Sequence, residues 1–533
     1  MEEREGLENE NREQVAKAAS IVMVAILVSR ILGFIRERAV AEVFGRTATT
    51  DVFFAAFALP DLMYQLLVGG ALSSAFIPVF TQYLAKDDEK EAWYVASVFL
   101  NTTSLILFLI MIIGVIFTPS LAPLVGVGFT GEQRELLVLL MRVTFPAVFF
   151  TALAGLCMGV LHSYQKFLLP ALGPIIYNLG QILGAYLLGP LVGIMGMAVG
   201  TVLGALGNFS IQFPSVLKKA KRHYKPVLDF RHPGIRRMVM LMLPAVLGLS
   251  ISQLNVIVSQ NLASTLETGS IVALRLANRL INFPLGIFAM GISTAVFPTL
   301  ARLTARGETA EFSRTLSFGL RIVFFITIPS AAGMAFLRVP IVRLLFESGE
   351  FFAADTLATA FVLLFYVPGL IAQSALQVTT RGFYSLQDTK TPVKIGFVTV
   401  VLNFLLSLAF LQWTNLGAGG LAFAYSLSSI FNMVLALGIL GRRLPGFVDK
   451  RLLSTFVKST IASVLMGGSA FLTVSLLESR LSLASKMGQL IQTFVGIGVG
   501  VLVYFVLSIV LKMEETQFVL AAVRKKLKAR AQD

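Results

Sequence analysis

The chain has 533 residues, 56% of them hydrophobic and 14% charged, with a formal net charge of +15 and a mean hydropathy of +0.80. A soluble chain of this size carries roughly a quarter charged residues, so most of this surface must face lipid rather than water. A single cysteine, Cys157, excludes an internal disulfide and a cysteine metal site.

Apolar runs long enough to cross a bilayer as helices recur along the whole chain. Nothing alternates with the period of a barrel strand, so an all-α polytopic membrane protein is expected. The acidic start (Glu2, Glu3, Glu5, Glu8, Glu10, Glu13) is the opposite of a basic signal region, and the first hydrophobic helix is expected to direct insertion itself. The apolar segments predict about fourteen spans: 18–44, 51–82, 93–118, 134–160, 168–188, 191–216, 236–262, 271–301, 314–337, 356–380, 392–412, 418–440, 453–477 and 487–511.

Most of the positive charge lies in alternate loops. Lys86 and Lys90 follow span two. Lys218, Lys219, Lys221, Arg222, Lys225, Arg231, Arg236 and Arg237 follow span six. Arg302, Arg306 and Arg314 follow span eight, and Arg442, Arg443, Lys450 and Arg451 follow span twelve. The stretches 119–133, 189–191, 263–270 and 412–418 hold no lysine or arginine. This pattern predicts both termini in the cytoplasm and accounts for the net charge without nucleic acid. The tail from Glu514 to Arg530 reads as a basic juxtamembrane helix on anionic headgroups, and Asp87-Asp88-Glu89 as a solvated turn.

Landmarks repeat at an offset of about 220 residues. Ser73-Ser74-Ala75-Phe76-Ile77-Pro78 matches Ser293-Thr294-Ala295-Val296-Phe297-Pro298. Pro146 matches Pro368, and Ser163, Gln165 and Pro170 match Ser385, Gln387 and Pro392. An offset of six spans keeps the insertion direction, which predicts parallel repeats with the substrate handled between two lobes. The expected organisation is a cytoplasmic segment 1–17, a first lobe 18–216, a basic linker 217–235, a second lobe 236–441, two extra helices in 442–511 and a basic tail 512–533.

Charges within spans are costly in lipid and face a cavity or a partner. Span one holds Arg30, Arg36 and Glu37, with Gly33 permitting a bend that could bring both arginine heads into one cavity. The competing reading has these arginines snorkel to an interface or pair with Glu37. Span two opens on Asp51, a helix N-terminal partner by its position, and carries Pro60-Asp61 followed by Gly69-Gly70. Span eight places Arg275 and Arg279 one turn apart on one face, followed by Asn282. Arginine's planar fork suits phosphate oxygens and keeps its charge at any working pH, so the excess of arginine over carboxylate predicts an anionic substrate. No zinc spacing, aspartate-rich metal motif or phosphate-binding glycine loop is present, which counts against an enzyme.

Four segments carry a family resemblance: Ser29-Arg30-Ile31-Leu32-Gly33-Phe34 with Arg36, Thr50-Asp51-Val52-Phe53-Phe54 through Leu59-Pro60-Asp61, Asn278-Arg279-Leu280 with Phe283-Pro284-Leu285-Gly286, and Arg381-Gly382-Phe383-Tyr384-Ser385-Leu386-Gln387-Asp388-Thr389-Lys390-Thr391-Pro392. In these the chain resembles the MurJ (MviN) family over roughly residues 18 to 440, within the multidrug/oligosaccharidyl-lipid/polysaccharide (MOP) exporter superfamily. The resemblance implies a flippase for lipid II, the polyprenyl-pyrophosphate-linked peptidoglycan precursor. It implies that Arg30, Arg36 and Arg279 hold the pyrophosphate and sugar head, and that the two extra helices form a groove for the polyprenyl tail. Departures occur at Tyr64-Gln65 and Asn282, where many relatives have an arginine and a glutamate. Some relatives bind sodium through an aspartate where this chain has Ser259, with Asn403 and Ser407 as the other polar candidates. The driving force is then sodium or the membrane potential. Cell-wall synthesis enzymes are plausible partners beside membrane lipids. The alternatives are a MOP-fold exporter of another polyprenyl-linked glycan or of a drug.

Overall fold

The computed structural model describes residues 2–66, 72, 74–86, 88–220, 223–229 and 231–517, with side chains from Val22 onward except at 245, 247, 248, 251, 252 and 254. Gly69-Gly70, Ser73, Asp87, Lys221, Arg222, the tail from 518 and the acidic side chains of the first residues lie outside the described residues. Among those described, the structure is helical with no strand.

The first half begins with α1 (Glu2–Phe44), closed by Gly45 at φ 63°. Sequence reasoning predicts one long second span, but the structure breaks it into α2 (Ala48–Ala56), α3 (Ala58–Gln65) and α4 (Ile77–Leu84). Proline explains the first break: Pro60 has no N–H to donate and its ring crowds the carbonyl four residues back, at Ala56, where α2 stops. α5 (Glu89–Ile116) is capped by Asp88, whose side chain accepts the Glu91 N–H at 3.0 Å. A short helix, α6 (Thr118–Val125), occupies part of the stretch read as loop. Then come α7 (Gly131–Ser163), α8 (Leu168–Leu183), a π-helical turn over 184–188, α9 (Gly189–Val192) and α10 (Ile194–Ala220).

The second half repeats this plan. It runs α11 (Pro233–Ala263), α12 (Ser270–Pro284), a π-helical turn over 285–289, α13 (Met290–Ala305), α14 (Thr309–Phe336), α15 (Arg338–Phe346), α16 (Ala353–Ser385), α17 (Lys390–Trp413) and α18 (Ala418–Arg443). The matching helices keep their lengths: α5 and α14 have 28 residues each, and α7 and α16 have 33 each, with Pro146 and Pro368 inside. Even the loop conformations match, with Gly193 at φ 62° and Gly417 at φ 53°. α19 (Lys450–Glu478) and α20 (Lys486–Val510) follow. Eleven helical segments among the described residues are long and apolar enough to cross a membrane. The remaining predicted spans correspond to α1, to α2–α4 and to α11.

Packing divides the chain into two compact units. The first comprises residues 1–271 with 348–351, and the second 272–347 with 352–533. In the first unit, Phe76 stacks on Phe80 at 5.3 Å and on Phe99 at 4.9 Å, beside fully buried Trp93, whose indole N–H donates to the Tyr164 hydroxyl at 2.9 Å. α8 and α10 meet through small residues; a Cβ on Gly180 would lie 2.5 Å from the Gly204 Cα, so only glycine permits this approach. α11 packs here, against α3 and α6, with Asn261 donating to the Pro123 carbonyl at 2.7 Å.

The second unit packs around Phe312, Leu316, Leu320, Phe383, Leu440 and Phe447. α19 and α20 dock on α14, where the Tyr504 hydroxyl donates to the Phe325 carbonyl at 2.8 Å. A buried ion pair fixes the end of this docking: Arg321 on α14 donates from Nε to Glu515 at 2.6 Å and from Nη2 to Glu514 at 2.7 Å, and Thr455 on α19 donates to Glu515 at 2.9 Å. Glu515 thus turns inward to α14 and Glu514 reaches Arg321 from the exposed side, whereas the sequence places both at the start of a helix on headgroups.

Candidate functional site

In the first unit, α1 changes character along its length. From Val22 to Ile35 its large apolar side chains are mostly exposed, as lipid contact requires, whereas Glu37, Ala39, Val40 and Ala41 are buried. Arg30 projects from the exposed stretch and makes no hydrogen bond or ion pair among the described residues. Arg36, at the transition, is held from two sides. Its Nη2 pairs with Glu37 at 2.6 Å and its Nη1 donates to Asn178 Oδ1 of α8 at 3.2 Å. Asn178 in turn donates to the Pro174 carbonyl at 2.9 Å and the Ser29 carbonyl at 3.4 Å. Pairing with Glu37 therefore does not release Arg36 to an interface; the carboxylate and the amide fix where the guanidinium points.

Asp51 is buried in the first turn of α2 and accepts the Gly269 N–H at 2.5 Å. Two dipole-favoured positions, the start of α2 and the residue before α12, thus share one carboxylate. Arg46 caps the same turn by donating to the Thr268 carbonyl at 3.2 Å. Asp61, in the first turn of α3, is exposed.

In the second unit, α12 buries Val272, Ala273, Leu276, Ala277, Leu280 and Ile281, which leaves Arg275, Arg279 and Asn282 as an exposed stripe on the opposite face. Asn282 donates to the Asn278 carbonyl at 2.8 Å and to its side-chain oxygen at 2.7 Å, tying two amides into the same stripe. Asn403 and Ser407 lie buried one turn apart on α17, while half-buried Ser259 belongs to α11 of the first unit. Among the described residues no three His, Cys, Asp or Glu side chains gather as a metal-holding group.

Sequence reasoning missed Asn178. Its signal is a set of amides within otherwise apolar helices: Asn178 and Gln181 on α8, Asn208 and Gln212 on α10, all buried. Amides in spans find partners on neighbouring helices, and one of these partners is Arg36.

Repeated halves of bilayer-length helices, two added helices and arginines fixed on α1 and presented on α12 define a polytopic membrane transporter. A family model described as lipid II flippase MurJ matches residues 40–513. The chain is 32% identical to a probable lipid II flippase MurJ of Vibrio cholerae, over 93% of this chain and 96% of the relative. It is also 32% identical to that of Haemophilus influenzae, over 84% of this chain and 90% of the relative. A solved structure of lipid II flippase MurJ in an inward closed conformation superposes with a TM-score of 0.76 at 28% identity, over 91% of this chain and 97% of that one. An inward-facing multidrug transporter of the MATE family, in the MOP superfamily, shares the fold at a TM-score of 0.67 and 15% identity. The chain belongs to the MurJ lipid II flippase family, a family of multi-pass transporters of the inner membrane.

Proposed function

We propose that this protein moves lipid II, with its polyprenyl-pyrophosphate anchor, from the cytoplasmic to the outer leaflet by alternating access. The observation that carries this reading is the family match over nearly the whole chain, and the reading assigns the anionic head to Arg30, Arg36 and Arg279. A guanidinium fork suits pyrophosphate oxygens, and the Glu37 and Asn178 contacts supply the preorganisation such a site needs at Arg36. Arg275, Asn282, Asp51 and Asp61 are the further polar groups that this reading assigns to the substrate. The protein works as a transporter, not as an enzyme.

Both termini lie in the cytoplasm in this reading, following the basic loops. α19 and α20, which expose Leu465, Leu472, Phe494 and Leu502, guide the polyprenyl tail. The membrane potential drives the cycle, at about 2.3 kcal/mol per charge per 100 mV. Ser259, Asn403 and Ser407 offer only neutral oxygens, a weak set for sodium. Enzymes that make and polymerise lipid II are the partners this activity calls for.

The test is complementation in bacteria depleted of their own lipid II flippase, scored by lipid II accessible from outside. Rescue by the wild type that fails with Arg30→Ala or Arg279→Ala is the expected result. No rescue by a chain confirmed in the membrane would refute the reading.

A further inference from the structure

The Arg381–Pro392 segment carries the family resemblance yet has no part in the arginine site above. In the second unit it borders a cavity of about 340 Å³ between α16, α17 and α18, lined by Gln373, Gln377, Thr380, Arg381, Tyr384 and Asn432 among its polar groups. No carboxylate among the described residues lines it. The Arg381 guanidinium makes no hydrogen bond or ion pair among the described residues; its neighbour is the Phe297 ring, 5.4 Å from its carbon. The other nearby arginine, Arg443, is already committed to Asp388 at 2.6 Å.

The duplication supplies an internal control. In the first half the positions of Gln377 and Arg381 are Gly155 and Gly159, and a Cβ on Gly159 would already lie 3.1 Å from Leu72 and Phe76. Asn208 matches Asn432, but Gln212, where the second half has Ala436, fills the space and donates to Asn208 at 2.8 Å. The same fold position is therefore packed shut in one half and opened around a cation in the other. A guanidinium at the end of a span reaches for water, a headgroup or a partner. Here the surroundings are neutral amides and hydroxyls, with no protein anion to serve.

We propose that this cavity is a binding site for an organic anion, a phosphate ester or a carboxylate, held by the Arg381 fork and oriented by Gln377, Thr380 and Asn432. The volume falls in the range of small-molecule sites and exceeds what an inorganic ion fills. The Phe297 face keeps the guanidinium in place without neutralising it. A soluble organophosphate and an anionic lipid headgroup present the same chemistry. The site lies within one unit and does not depend on the transport reading.

The experiment uses the full chain with Cys157→Ala and Ala436→Cys, a position that lines the cavity without a polar role, and follows maleimide labelling at position 436. Phenyl phosphate at constant ionic strength is the soluble probe; nanodiscs of phosphatidylcholine with or without phosphatidic acid are the lipid probe. Protection by phenyl phosphate supports the site with a soluble ligand. Protection only by phosphatidic acid supports it with a lipid ligand. Adding Arg381→Gln should weaken either protection roughly tenfold or more, and Arg381→Lys should weaken it less. Absence of protection by both probes with Arg381 in place overturns the proposal. So does equal protection in a folded Arg381→Gln chain.

Discussion

Gln165 and Gln387 hold the same left-handed backbone, at φ 57° and 59°, one repeat apart. Each ends a long helix in the same way. The Gln165 N–H donates to His162 at 2.9 Å and the Lys166 N–H to Leu161 at 2.8 Å; the Gln387 N–H donates to Tyr384 and the Asp388 N–H to Phe383, both at 3.0 Å. These are paired C-terminal caps in which glycine is the usual occupant. Gln165→Gly and Gln387→Gly should each stabilise the protein by up to about 1 kcal/mol. Thermal unfolding in detergent checks this, and a lowered midpoint would show that the glutamine side chains matter more than the backbone.

Arg36 depends on Asn178 for its second anchor. Asn178→Leu removes that acceptor while keeping the volume, at a cost of about 1–3 kcal/mol in positioning the cation. Transport of lipid II should fall markedly with the protein still inserted, and Arg36→Lys, which loses the fork, should fall too. Full activity in Asn178→Leu would mean that Glu37 alone suffices.

Arg321 holds the end of the α20 connection through buried Glu515. Removing one partner strands a buried charge, so Arg321→Leu should destabilise by about 3–5 kcal/mol, whereas Arg321→Leu with Glu515→Leu should recover most of the loss. Glu514, more than half exposed, should contribute much less. Proteolysis in the 511–517 segment, compared across the single and double variants, reads the difference.

Asp388 is held well below the usual carboxylate range by the Thr391 hydroxyl and N–H and by Arg443. A depressed folded value means that this cap stabilises fully above the ordinary carboxylate pKa and is lost as pH falls through the folded one. Acidification below about pH 4 should therefore lower the protection factor of the Thr391 amide, its exchange measured against an unstructured peptide at the same pH. Asp388→Asn should flatten that dependence, and an unchanged acid response in the variant would refute the assignment.

The helical class, eleven of the spans and the repeated landmarks were legible in the sequence because bilayer thickness and proline leave strong local marks. Pro146 and Pro368 sit inside equal helices as the repeat requires. Short helices were not legible. α6 and α15 are about two turns long, below the length at which apolar periodicity separates helix from loop. Partnerships between distant residues were also hidden: Arg36 was singled out but Asn178 was not, and nothing local marks Arg321 and Glu515 as a pair. Arg275, Arg279 and Asn282 were found because helical spacing alone puts them on one face.

α11 opens the second half of the sequence yet completes the packing of the first unit, as do residues 348–351, where the Glu350 N–H donates to the Glu42 carbonyl at 2.8 Å. The duplicated gene segments and the folded bodies therefore have different borders. During synthesis the contacts of the first body are incomplete when α10 leaves the ribosome; the rest come with α11 and with a strip of chain some eighty residues later still. A split of the chain in the basic linker would sever a body, not separate two.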